Sequence, residues 1–122
     1  MTERWVTFAK LGRADLVRLA GEIDLANAPE IGREIVRQTG RADAVVIDLT
    51  AVSFLDSAGV RLLDALVGDL DQQGTPIRLV VGATGAARMT LQLCGFREDL
   101  LATDLDRAAD ELGRSAAYAG AP

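Results

Sequence analysis

Residues Ala44 to Leu49 form a run of apolar, mostly β-branched side chains interrupted only by Asp48. A strand with one face in water alternates apolar and polar side chains, so a run without alternation belongs to a strand covered on both faces. That makes it the centre of a sheet, with its cover supplied by segments on either side.

Those segments read in order. Trp5 to Lys10, a turn containing Gly12, and Asp15 to Gly21 with Leu16, Val17 and Leu19 predict an opening antiparallel strand pair. After Gly21-Glu22-Ile23-Asp24-Leu25, the stretch Asn27-Ala28-Pro29 offers a helix start, Ala28, Ile31 and Ile35 follow a helical stripe, and Gly40 closes it. Beyond the central strand, Val60, Leu63, Val67 and Leu70 recur at helical spacing from Ala58 onward, with Leu62 and Leu66 widening the stripe. Gly74 ends that helix and Pro76 prevents its continuation.

Ile77 to Val81 predicts a second buried strand, and Ala86 to Cys94 a helix with Met89 and Leu93 four apart, stopped at Gly95. A last helix is expected from Thr103 or Asp104, with Leu105, Ala108, Ala109 and Leu112 on its apolar face. Ser115 to Pro122 is rich in small residues and reads as a flexible C-terminal tail, leaving residues 1–114 as the domain. Strands alternating with short helices imply one α/β domain with a mixed four- to five-stranded sheet and about four helices; there is no linker or internal repeat.

Composition then narrows what such a domain does. At 122 residues it can bury roughly two thirds of its extended-chain surface. A net charge of −5 with scattered arginines argues against direct nucleic-acid binding, which draws on clustered cations. Histidine is absent, which removes Ser-His-Asp and Cys-His chemistry, histidine-ligated zinc and imidazole bases. The single cysteine, Cys94, excludes an internal disulfide and fits a reducing, cytoplasmic compartment; by itself it reads as a small buried hydrophobe. Apolar runs such as Ala44 to Ile47 and Leu79 to Ala83 fall far short of the roughly 18 residues that suggest a spanning helix. The N-terminus also lacks a signal-peptide hydrophobic region, so no membrane association is expected.

The most informative stretch runs from Val45 to Val60, a strand leading through a short apolar loop into a helix at whose N-terminus Ser57 falls. A hydroxyl there caps free backbone N–H groups; phosphorylated, it would place roughly −1.5 to −2 charges where those donors tolerate an anion. Asp56 reads either as a capping residue or as one that holds the loop or touches a partner. Asp48, at the end of a buried strand, reads as structural, accepting loop N–H bonds.

Gly21-Glu22-Ile23-Asp24-Leu25, then Val46-Ile47-Asp48-Leu49, then Phe54-Leu55-Asp56-Ser57-Ala58-Gly59-Val60, in that order and spacing, resemble the anti-sigma factor antagonists of the STAS family over residues 4–112. The resemblance implies a single STAS domain without catalysis or cofactors of its own. It implies that Ser57 is phosphorylated by an anti-sigma factor, a serine kinase that brings its own ATP and magnesium, and dephosphorylated by a metal-dependent serine phosphatase. The unphosphorylated form would bind the anti-sigma factor and free the sigma factor, with Asp24, Asp56, Ser57, Ala58 and Gly59 at the partner surface. The later Gly95-Phe96 pair also resembles the family, whereas Gly82-Ala83-Thr84-Gly85-Ala86-Ala87-Arg88 departs from its usual polar or proline-containing loop. The alternative on the same fold is a regulatory STAS subunit of a membrane transport complex.

Three other chemistries fail on residues. Val80-Val81-Gly82-Ala83-Thr84-Gly85 resembles a dinucleotide-binding turn with Asp104 about 20 residues beyond. However, Arg88 occupies the third glycine position, no convincing apolar strand precedes Asp104, and only 34 residues follow Arg88. A phosphoacceptor receiver with Asp48 would need an acidic metal pocket from an early strand and a late lysine, and the only lysine is Lys10. Esterase chemistry lacks both histidine and the glycine before Asp56-Ser57-Ala58-Gly59.

Overall fold

The computed structural model describes residues 5–119, with side chains described to residue 113. Strands β1 (Val6–Leu11) and β2 (Ala14–Ile23) pair antiparallel, in register from Val6 opposite Leu19 to Leu11 opposite Ala14. The reversal between them takes two residues, and Gly12 there has φ +62°, a conformation glycine adopts without a Cβ clash. Then follow α1 (Ala28–Thr39), β3 (Val45–Leu55), α2 (Ser57–Gln72), β4 (Ile77–Val80) and α3 (Ala86–Leu93). A short 3-10 turn, Glu98–Leu100, leads into β5 (Leu101–Ala102) and α4 (Leu105–Ala119).

The sheet order is β1-β2-β3-β4-β5, and every pairing after the first is parallel. A parallel neighbour cannot be reached by a tight turn, so α1, α2 and α3 each lie in one crossover. Among the described residues the result is one mixed five-stranded sheet with four helices, as the alternation of elements predicts.

β3 is covered on both faces. Val45, Ile47 and Leu49 join the larger core, with Ile31 and Ile35 of α1, Leu63 and Leu70 of α2, and Leu91 of α3. Val46, pointing the other way, packs with Leu16, Val80 and Ala102 under Ala108 and Leu112 of α4. Each of the buried valine, leucine and isoleucine side chains contributes roughly 1.5–3 kcal/mol through burial. Asp48 is on that second side: Oδ1 accepts from the Thr50 backbone N–H at 2.9 Å and its hydroxyl at 2.7 Å, while Arg18 Nε lies 3.6 Å from Oδ2. It is the structural carboxylate expected.

Several local expectations change. The short loop expected after Leu49 is strand: β3 continues to Leu55 because β2 goes on pairing with it, Ala20 opposite Ala51 through Ile23 opposite Leu55. β4 stops opposite Asp48, so this extension has only β2 as a neighbour and is largely exposed. In α3 the inward residues are Ala87 and Leu91, whereas Met89 and Leu93 face solvent. Cys94, which ends that helix, is exposed and is not the buried hydrophobe expected. A two-residue strand, β5, does precede Asp104. The flexible tail expected over 115–122 falls where side chains lie outside the described residues, although α4 itself extends to Ala119.

Candidate functional site

β3 delivers the chain to the junction at Asp56. Its backbone there is extended, φ −100° and ψ −175°, and its carboxylate Oδ1 accepts the N–H of Gly59 at 3.0 Å. Asp56 is therefore the N-cap of α2, and Ser57, expected to be the cap, is instead the first helical residue with an exposed side chain. The reason is geometric: a capping residue needs extended backbone, and Ser57 has already entered the helix. The hydroxyl is left free of the capping role, beside helix-terminal N–H groups that favour an anion.

Asp56 also reaches sideways. Its Oδ2 accepts from the Leu25 N–H at 3.3 Å, and its own N–H donates to the Ile23 carbonyl at 3.3 Å. The β2–α1 loop, in which Asp24 lies, is thereby tied to the β3–α2 junction through Ile23 and Leu25. Asp24 itself works inside its loop: Oδ1 accepts from the N–H groups of Ala26 at 2.9 Å and Asn27 at 3.3 Å, an Asx turn.

Asn27, which sequence reasoning treated only as part of a helix start, proves central to this loop. It is 7% exposed, its Nδ2 donates to the Glu22 carbonyl at 2.8 Å, and its Oδ1 accepts from the Asp24 N–H at 2.9 Å. An asparagine two residues before Pro29 was the signal, since both its amide groups can satisfy a turn's backbone.

The remaining site residues shape the surface. A Cβ on Gly59 would lie 2.4 Å from Leu55 Cδ1 and 3.3 Å from the Ile23 carbonyl oxygen, so the helix starts this close to β2 and β3 because position 59 has no side chain. Ala58 is buried and lines one end of an apolar groove of about 600 Å³ between α1 and α2. Leu25, 71% exposed, overhangs the same end.

The loop between β4 and α3 is held differently. Arg88 Nε donates to the Gly82 carbonyl at 2.6 Å and its guanidinium lies 3.8 Å from Glu98, so a fixed cation stands where a dinucleotide turn needs its third glycine. Away from the site, the Arg97 guanidinium hydrogen-bonds Asp99, holding that carboxyl below the usual carboxylate range and raising Arg97 itself. Among the described residues there is no group of three or more side chains placed to hold a metal ion, and no helix is long and apolar enough to cross a membrane.

This geometry has solved counterparts. The chain is similar to an anti-sigma factor antagonist from Mycobacterium paratuberculosis, with 29% identity and a TM-score of 0.80 over 88% of this chain and 92% of that one. It shares its fold with a serine-to-glutamate variant of RsbS from Moorella thermoacetica, at 22% identity and TM-score 0.76 over 92% and 97% of the two chains. The phosphorylated form of the Bacillus cell fate determinant SpoIIAA also matches, at 21% identity and TM-score 0.67 over 88% and 98%. No curated protein matches the chain. The STAS domain model matches residues 8–109, from within β1 to the first turn of α4 with both site loops included, and the chain belongs to the STAS domain family.

Proposed function

We propose that this STAS domain is an anti-sigma factor antagonist. It binds an anti-sigma factor serine kinase, thereby releasing a sigma factor, and is switched off when that kinase phosphorylates Ser57. The observation that carries the reading is the exposed Ser57 at the first position of α2, relieved of capping by Asp56. The Mycobacterium relative supports the class of function, and the phosphorylated and serine-to-glutamate relatives support a switch of this kind.

The chemistry belongs to the partner. ATP and magnesium come with the kinase, a metal-dependent serine phosphatase resets the switch in the cytoplasm, and this domain is substrate without catalysis of its own. Phosphorylation adds roughly −1.5 to −2 charges next to the Asp56 carboxylate, already held by Gly59 and Leu25. The helix terminus tolerates the dianion, so the fold persists. What changes is docking, because a partner would have to strip water from a dianion where it previously covered a small neutral side chain.

Intact-mass measurement after incubation with candidate anti-sigma kinases and Mg-ATP tests this. One phosphate on the parent and none on Ser57→Ala is expected. No phosphate from kinases of confirmed activity would sink the switch and return the transport-complex subunit as the working reading.

A further inference from the structure

The α1–α2 groove is a surface of unlike character to the rest of the chain. Its floor is formed by Ala28, Gly32, Ala58, Ala65 and Leu66, and a Cβ on Gly32 would come within 2.7 Å of Leu62 Cδ1, so the two helices meet closely beneath it. Leu25 and Val36, 71% and 51% exposed, stand at its margins with no apolar cover.

Its rim is cationic on a chain of net charge −5. Arg33, Arg37 and Arg61 line it against one carboxylate, Asp69. Arg37 is paired with Glu34, whereas among the described residues neither Arg33 nor Arg61 forms an ion pair. A small-residue floor lets a helix backbone come close, and the cationic rim selects the charge of that helix's flanks. The groove also continues into the Ser57 surface, since Leu25 and Ala58 belong to both.

We propose that this groove receives an acidic amphipathic helix of the same kinase partner, its apolar stripe on the small-residue floor and its carboxylates on Arg33 and Arg61. The inference rests on the kinase-substrate reading of Ser57 and adds a second contact to it. Recognition then has two parts: the groove holds the domain, and the helix terminus presents the serine. Phosphorylation would act on one part only, so the phosphorylated domain leaves more slowly than a one-contact substrate would.

The test uses the kinase that phosphorylates Ser57, with binding measured at low and at physiological salt. Ala65, Arg33 and Arg61 are exposed, so Ala65→Glu and the pair Arg33→Glu with Arg61→Glu should melt like the parent. Both variants are expected to bind at least about tenfold more weakly, and the arginine pair should also flatten the salt dependence. Phosphorylation at saturating kinase should persist, because Ser57 is untouched.

Groove variants that bind as tightly as the parent, alongside a weakened Ser57→Glu, would overturn the groove and leave the switch standing. Binding of cis-parinaric acid by the parent that is lost in Ala65→Glu, with kinase binding intact, would assign the groove to an acyl ligand and equally overturn the proposal. A kinase that phosphorylates no Ser57 in the parent would remove both readings together.

Discussion

The backbone N–H of Leu25 donates to Oδ2 of Asp56 across 3.3 Å, joining two loops 31 positions apart in sequence. The same carboxylate caps α2 through Gly59, so one side chain sets both where the helix begins and how the β2–α1 loop lies against it. Asp56→Ala should cost about 1–2 kcal/mol, the loss of a helix cap, read as a lower urea midpoint with unchanged slope. Asp56→Asn has one acceptor oxygen, so it can keep the cap on Gly59 but not also the bond from Leu25, and it should recover only part of the loss. Equal losses for the two variants would mean that the Gly59 cap alone does not hold the junction.

Two glycines of α2 should respond in opposite directions to the same added methyl. At Gly59 the new Cβ meets Leu55 and the Ile23 carbonyl, and Gly59→Ala should destabilise by roughly 1–3 kcal/mol through overpacking. At Gly68, exposed and with nothing within 4 Å, Gly68→Ala should stabilise by about 0.5–1 kcal/mol through helix propensity. Paired thermal melts check both signs.

Asn27→Leu keeps the branched shape but leaves the Glu22 carbonyl and the Asp24 N–H without partners. A fully buried group so stranded costs about 1–3 kcal/mol, and these two, being only partly buried, should each cost less. A fall in stability is expected, together with faster amide exchange at Asp24 and Ala26 in NMR. A variant with parent-like exchange would show that the Asx turn at Asp24 suffices alone.

These positions also mark how much could be read from the chain. The central strand, the stripes of α1 and α2 and the cover by Ala108 and Leu112 were legible, because burial over ten or more residues leaves a period. The strand beyond Leu49 was not: Thr50 to Phe54 are mostly exposed, and their conformation comes from pairing with β2, which leaves no apolar pattern. Helix α3 has eight residues, too few to decide between a stripe at Met89 and Leu93 and one at Ala87 and Leu91. In the site, Ser57 stood out through the family motif, while the division of labour between it and Asp56 depended on a single backbone angle. Asn27 stayed hidden because its partners are main-chain atoms, so an asparagine two residues before Pro29 reads equally well as an ordinary helix start.

Acid should act visibly on the Arg97–Asp99 pair. The hydrogen bonds to Arg97, at 2.8 Å and 3.3 Å, depress the Asp99 carboxyl, so the contribution of the pair is present above the ordinary carboxylate range and fades as pH falls through the lowered value. Both side chains are exposed and screened, so the effect on stability should be too small to measure. The titration itself should show it: Arg97→Gln should move the NMR midpoint of Asp99 upward. An unmoved midpoint would remove the guanidinium as the cause.

Ser57 variants separate charge from folding. An acidic group in the first turn of a helix is favoured by about 0.3–1 kcal/mol, so Ser57→Glu should be at least as stable as the parent, and Ser57→Ala should melt within about 0.5 kcal/mol of it. Against a cognate anti-sigma kinase, Ser57→Ala should bind like the parent and Ser57→Glu about tenfold or more weakly, equivalent to roughly 1.4 kcal/mol. Loss of affinity without loss of stability cannot come from unfolding; it has to come from the cost of covering a charge beside Asp56. Glutamate carries only part of a phosphate's charge, so the phosphorylated domain should bind more weakly still. A Ser57→Glu variant that binds as tightly as the parent would mean that negative charge at the start of α2 is not what releases the partner.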